Sequence, residues 1–434
     1  MRLHVESLNH ACVLLSVSGV RLLFDPWLSG TAFSGGWGLR YENPRAIERA
    51  ADATHLWISL WHSDHMHEPT LRELARRRPD IEVLANVSHN FSMVERLRAM
   101  GFAKVVALGE RTPLSIGSGV MVTRYPTAGI DNMLHVAAPG ASILNYNDCN
   151  LPERALRRLK ARIGQVDLLL ANYNHAGKLF ERASDEAIQR TFFGSMARAV
   201  EVMRPRHVVP FASSHVYRSR YSTAQNQSLL DFDQLAAWTA HDPRYAVLRI
   251  GDALDVAEGQ ARIERAPAAR RAPLDVLDEG ASVPFDQLAS HVGARSRDLA
   301  ARFPLLARWM PPLVVRVDDH DRCLRLELGR APRELPGSAP ADIRAHSRAI
   351  DDWHGRKFGD DTFFAGAHFD LAGESVTAIR AWALVTLLAA SEPDPRSIVR
   401  GVRTRSGLAF WWNRREEILG TLATGKLKAG ELRG

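Results

Sequence analysis

Cysteine is scarce: three residues, Cys12, Cys149 and Cys323, in a chain of 434. They are far apart and odd in number, and no C-x-x-C pair occurs. Neither a disulfide framework nor a cysteine-built zinc site is supported, and the usage suits a reducing, cytoplasmic setting. Long apolar runs are missing as well. The best one toward the C-terminus, WALVTLLAA, is too short to span a bilayer. The opening residues, MRLHVESLNHACVLLSVSG, lack a signal-peptide layout, so no membrane association is expected. There is no G-x-x-x-x-G-K-[ST] phosphate loop and no G-x-G-x-x-G following a strand-like run. SSH and GSM do not form nucleophile elbows. A basic block is absent too. The formal charge is +7, yet arginines are spread along helices without interleaved aromatics, which argues against a nucleic-acid partner. A mild positive field suits an anionic small-molecule substrate.

What is present is ample apolar material, 46% of residues, in a chain long enough for two domains. The N-terminal part is strand-rich. Two β-type runs, LHVESLN and ACVLLSVSGVRLLFDPW, open the chain, and the second folds back at Ser18-Gly19. A glycine- and aromatic-rich loop follows, then alternating strands and helices: HLWIS, EPTLRELARRRP, IEVLAN, SMVERLRAMG. This alternation predicts an α/β architecture with sheets inside and helices outside. After about residue 255 the composition shifts to alanine, proline and charge. The expected division is a catalytic domain over 1–255, a linker over 256–284 and a C-terminal α+β accessory domain over 285–434.

The chemistry gathers in ISLWHSDHMHEPTL. His62, Asp64, His65 and His67 crowd onto a loop at a strand's C-terminal end, a common place for a site. Imidazole with carboxylate suits zinc or iron, and either ion can keep an open position. A further acidic donor is needed, and Asp148 in ILNYNDCNL follows a β-type run. Taken alone it would read as a helix cap. His175 in LLLANYNHAG and His215 in VVPFASSHVY also follow buried strands, so both are candidates to complete the site or to face a substrate. His10 could reach it as well. Asp25, before a proline, reads as tying its loop through backbone hydrogen bonds. Arg40, Arg218 or Arg220 could meet a phosphate or carboxylate.

Together, FDPWLSGTAF, HSDHMHEPTLRELARRRPDI, ILNYNDC and MRPRHVVPFA resemble the metallo-β-lactamase fold. More narrowly, they resemble the CMP-N-acetylneuraminate hydroxylase family, with PLVVRVDD and GLAFWWNRREEI as distant C-terminal echoes. The resemblance implies a metallo-β-lactamase-like αββα sandwich with a metal site at the sheet edge. It implies His62 as a first-site ligand, Asp64 and His65 as second-site ligands, and Asp148 as a bridging carboxylate. That family's hydroxylation uses iron, oxygen and electrons from a Rieske cluster. Three departures stand out. Leu60 occupies the slot of the motif's first histidine, YPTAGIDN lacks the histidine expected there, and the cysteines cannot supply a Rieske centre.

The leading expectation is an oxygenase with one or two iron ions, held by His62, Asp64, His65 and Asp148. His67, His175 and His215 could compensate for the missing ligands, and residues Thr31–Glu42 would close over the substrate. A separate Rieske ferredoxin or other electron donor would supply electrons. Zinc in place of iron would make a hydrolase, and a degenerate site would leave a non-catalytic binding module.

Overall fold

The computed structural model describes residues 2–86, 93–127, 131–180, 183–356, 358–373 and 376–391. The opening meander is β1 (Arg2–Asn9), β2 (Cys12–Val17) and β3 (Val20–Phe24). Ser18 and Gly19 both take positive φ, 48° and 82°, which a two-residue turn matched to strand twist requires. Two short strands, β4 (Thr31–Ala32) and β5 (Trp37–Leu39), follow. Then α1 (Ala46–Ala50), β6 (His55–Ile58), α2 (Glu68–Arg77), β7 (Glu82–Asn86), α3 (Met93–Ala99) and β8 (Lys104–Leu108) alternate, and β3, β6, β7 and β8 are parallel.

The chain next builds β9 (Leu114–Ser115), β10 (Met121–Pro126), β11 (Asn132–Ala138) and β12 (Ala141–Asn147). After α4 (Glu153–Ile163) come β13 (Leu168–Ala171), α5 (Asp185–Met203) and β14 (His207–Pro210), which continue the sheet in parallel from β12. β15 (His215–Tyr217) pairs with β5, α6 (Phe232–Thr239) follows, and β16 (Ala253–Ala257) and β17 (Gln260–Glu264) return to the edge of β1. The first sheet runs β17-β16-β1-β2-β3-β6-β7-β8 and the second β14-β13-β12-β11-β10-β9.

The alternation of side chains makes this a four-layer sandwich. In β2, Val13, Leu15 and Val17 face the second sheet, while Cys12 and Leu14 face the helices. In β13, Leu168 and Leu170 join the same inter-sheet core, while Leu169 and Ala171 pack under α4 and α5. Both faces are covered, so these strands read as continuous apolar runs. The layers are helix, sheet, sheet, helix: α1, α2 and α3 cover one side, and α4, α5 and α6 the other. The expected αββα sandwich is what the chain forms.

Two details differ from the sequence reading. β17 carries the first sheet on to Glu264, nine residues beyond 255, and the stretch expected to be a linker then lies along the first unit, with Ala272 donating to the Arg40 carbonyl and Leu277 to that of Arg218. Thr31–Glu42 is also not a free lid. β4, β5 and β15 form a small sheet, and Trp37 within it is fully buried, because its indole finds Phe33, His215 and Tyr217.

Beyond residue 283 a separate apolar core begins. The long helix α7 (Phe285–Arg302) and the short α8 (Pro304–Ala307) precede β18 (Leu313–Val317), β19 (Arg322–Leu326), β20 (Arg333–Pro336) and β21 (Ile343–Ala345). α9 (Ser347–Gly355), α10 (Gly359–Ala365), β22 (Phe369–Leu371) and α11 (Thr377–Ser391) complete it. The expected strand pair, β18 and β19, is the centre of a sheet ordered β20-β19-β18-β21-β22. The segment GLAFWWNRREEI lies outside the described residues. No helix among the described residues is long and apolar enough to cross a membrane.

Candidate metal centre

The site forms where loops leave the C-terminal ends of parallel strands in both sheets, the edge at which α/β sheets open a crevice. The β6 loop brings Asp64 and His65, and the β12 loop brings Asp148. Among the described residues, these three form the group whose donor atoms all lie within 4.8 Å of one another. His65 Nε2 is 2.9 Å from Asp148 Oδ2 and 3.3 Å from Asp64 Oδ2.

His65 is aimed by a residue beneath it. Asp25, left-handed at φ 36°, directs Oδ2 to His65 Nδ1 at 3.1 Å. The same carboxylate accepts from the backbone and hydroxyl of Ser59, both at 2.8 Å. Asp25 thus ties its loop as the sequence suggested. It also leaves Nε2 as the imidazole nitrogen turned toward Asp64 and Asp148, the role an outer carboxylate plays behind a metal-binding histidine. Asn172 does the same for Asp148, donating to Oδ1 at 3.1 Å and leaving Oδ2 toward His65. Asn147, immediately before Asp148, is left-handed at φ 54°, and its side chain donates to Ser59 Oγ at 2.7 Å. Non-glycine residues held in that conformation next to a site are a form of stored strain that the surrounding bonds must impose.

The charges are mutually dependent. Burial opposes ionisation of Asp64, but His65 and His10 beside it hold its carboxyl well below the usual range. Burial likewise opposes protonation of His65, yet Asp64, Asp148 and Asp25 raise it well above the ordinary imidazole value. One cation among three carboxylates is a charge arrangement that a divalent ion can take over, releasing a proton. Imidazole and carboxylate donors fit iron or zinc. Asp64 Oδ1 is buried and finds no hydrogen-bond partner among the described residues, as a donor awaiting a ligand would.

The other predicted residues are placed elsewhere. His62 points to the C-terminal unit: its Nε2 lies 3.4 Å from Asp361 Oδ1, and Trp61 donates to the other Asp361 oxygen at 3.0 Å. Burial works against its protonation, but Asp361 raises it to about 9. Leu60 is fully buried in the slot of the missing histidine. His67 is not in the donor group. It caps α2, with Nδ1 accepting from Thr70 and Nε2 3.3 Å from the Thr31 carbonyl, and burial lowers it to about 4. His175 is stacked on Tyr217 and bonded to Ser228 and the Tyr217 hydroxyl, so it braces β15. His215 is buried beside His10 and stacked on Trp37. The candidate arginines are also engaged: Arg40 and Arg218 donate to the Leu230 and Asp275 carbonyls, and Arg220 to the Tyr221 hydroxyl. A cavity of about 270 Å³ lined by Arg249, Asp252 and Arg265 contains none of the donors.

Sequence reasoning missed Asn172 and Asp361, for which no local signal exists. It assigned Asp25 only its loop-tying role. His67 did have a signal, since Pro69 at the second helical position marks the preceding residues as a helix start.

Comparison with known proteins agrees with this architecture. Residues 4–146 match the model of a β-lactamase superfamily domain. The cytidine monophosphate-N-acetylneuraminic acid hydroxylase of Cricetulus griseus is 29% identical over 231 residues, 49% of this chain and 40% of that protein. The chain therefore spans well under half the length of that relative. A mutant of the CmlA β-hydroxylase is 22% identical with a TM-score of 0.42, covering 61% of this chain and 54% of that one. An isothiocyanate hydrolase from Delia radicum gut bacteria is 12% identical with a TM-score of 0.43, covering 58% and 97%. Residues 4–146 thus resemble a β-lactamase superfamily domain, and with its facing sheets and flanking helices the chain has a metallo-β-lactamase-like fold.

Proposed function

We propose that the chain is a metal-dependent oxygenase acting on a polar, anionic small molecule, with iron held by Asp64, His65 and Asp148. The observation that carries the reading is this buried donor group, already oriented by Asp25 and Asn172. The hydroxylase relative supports the choice of oxygen chemistry over hydrolysis. An ion held by these residues would supply a Lewis acid and a redox centre. The chain's own residues do the rest. Asp25 keeps a proton on His65 Nδ1, so that Nε2 is the donating nitrogen. Asp148, with a side chain 22% exposed, forms the accessible rim, while Asp64 and His65 are the closed floor. Asp361 and Trp61 wall the side on which His62 stands. Electrons would come from a separate Rieske ferredoxin or another donor.

The test is metal analysis of protein produced without added metal, joined to oxygen uptake with a chemical reductant and anionic substrates. Iron near one or two per chain with reductant-dependent oxygen uptake supports the oxygenase. Stoichiometric zinc without oxygen uptake replaces it with a hydrolase, in which the ion would lower the pKa of bound water. Absence of any metal from the full chain overturns both readings and leaves a non-catalytic binding module.

A further inference from the structure

The two loops of the donor group leave different sheets, yet one hydroxyl lies between the residues that steer them. Ser59 follows β6 directly and is fully buried. Its backbone N–H donates to Asp25 Oδ1 and its hydroxyl to Asp25 Oδ2, both at 2.8 Å. The same Oγ accepts from Asn147 Nδ2 at 2.7 Å. A serine hydroxyl can donate and accept at one atom, which an alanine methyl cannot do. Ser59 Oγ thus stands between Asp25, which aims His65, and Asn147, which immediately precedes Asp148.

The backbone of Ser59 is held as firmly. Its carbonyl accepts from Asn86 Nδ2 at 2.6 Å and from Asn132 Nδ2 at 2.9 Å. Asn132 in turn accepts from the buried Arg124 at 2.8 Å. Asn86 ends β7, Asn132 opens β11 and Asn147 ends β12, so Ser59 ties strand ends of the first sheet to strand ends of the second. A buried network of this kind fixes one arrangement, because low dielectric makes each bond costly to break. Asn147 depends on it most. Its left-handed backbone, φ 54°, must be imposed by its surroundings. Its Oδ1 finds no partner among the described residues, and its other Nδ2 contact, to Asp25 Oδ2, is 3.4 Å, at the long end for a hydrogen bond. The Ser59 hydroxyl is therefore the main hold on the Asn147 side chain.

We propose that Ser59 is a positioning residue that couples the two loops of the metal centre. Through Asp25 it orients the His65 imidazole, and through Asn147 it places the Asp148 carboxylate. This rests on the metal-centre reading above. Asn172 supplies an independent comparison. It also steers Asp148, but it donates directly to Oδ1 at 3.1 Å, without Ser59 in the path.

The experiment is a calorimetric Zn(II) titration of the full metal-free chain and its variants, with thermal unfolding of each metal-free protein followed by circular dichroism. Ser59→Ala removes the shared hydroxyl and should weaken zinc binding about 10–100-fold, the range for changes to outer partners. Asn147→Gly removes the amide while accepting the left-handed backbone, and should weaken binding about tenfold. The two combined should weaken it no more than Ser59→Ala alone, because Asn147 acts through that hydroxyl. Ser59→Ala combined with Asn172→Ala should instead multiply the two losses. A purely structural Ser59 would lower the metal-free melting temperature and leave zinc affinity unchanged, which overturns the proposal. Losses that multiply for Ser59 with Asn147 just as they do with Asn172 also overturn it. If Ser59→Ala fails to fold, Asn147→Gly decides: weaker zinc binding at an unchanged melting temperature supports the coupling, and unchanged affinity overturns it. Wild type that binds zinc no better than folded Ser59→Ala overturns this proposal alone. Wild type that binds no zinc overturns the metal-centre reading with it.

Discussion

His62 and His65 stand three residues apart in the same tight turn, where the His62 carbonyl accepts from the backbone of His65 and Met66. Their surroundings differ completely. His65 is fully buried among Asp25, Asp64 and Asp148, all from the N-terminal domain. His62 is 19% exposed at the side chain and paired with Asp361, from the C-terminal unit. One imidazole is built into a donor group, and the other joins two parts of the molecule. A motif places histidines on a loop; the carboxylates opposite decide what each one does.

The largest way to break this contrast is His65→Ala. It removes a donor and leaves the carboxylates of Asp25, Asp64 and Asp148 without their shared cation. Loss of one partner from a buried charge cluster costs ~3–5 kcal/mol, to be read by denaturant unfolding of the metal-free protein. Metal affinity should fall beyond the roughly 10–100-fold typical of changes to outer partners, as read by calorimetric titration. Retention of metal at wild-type affinity would remove His65 from the centre.

Asp361→Asn sharpens the comparison from the other side. His62 has a folded-state value near 9, raised above the ordinary 6.5, so its pairing contributes stability that is fully present below pH 6.5 and lost as pH rises through 9. Allowing for partial exposure, the contribution is ~1–2 kcal/mol. The variant should flatten the decline in wild-type stability between pH 7 and 9, and the His62 ring resonances should titrate near neutrality. Metal affinity at Asp64, His65 and Asp148 should stay unchanged. A large loss of metal would instead place His62 and Asp361 inside the centre.

The smallest effect is expected at His67. His67→Ala deletes a helix cap at a cost of ~1 kcal/mol, with metal stoichiometry preserved. A drop in bound metal would return His67 to the donor set.

Much of the frame was legible in the amino-acid order. Apolar runs covered on both faces, the Ser18-Gly19 reversal and the switch to alternating strands and helices are local patterns, and local patterns follow from φ/ψ preference and side-chain period. The placement of the HSDH loop and of Asp148 at strand ends was legible for the same reason. The tasks of the residues were less so. Asp25 could be read only as a loop tie until His65 was seen 3.1 Å away, and Thr31–Glu42 looked like a lid until β15 was found paired to it.

The sequence by itself therefore determined the layered architecture, the edge where chemistry gathers and the kinds of donor found there. Tertiary structure alone decided which imidazole meets which carboxylate. It brought Asp361 to His62 across 299 positions of chain, and His215 to His10 across 205. The physical reason is range. Backbone preference acts over a few residues, whereas a donor set depends on ångström-scale approach between side chains that only packing of the two sheets and the C-terminal unit can bring together.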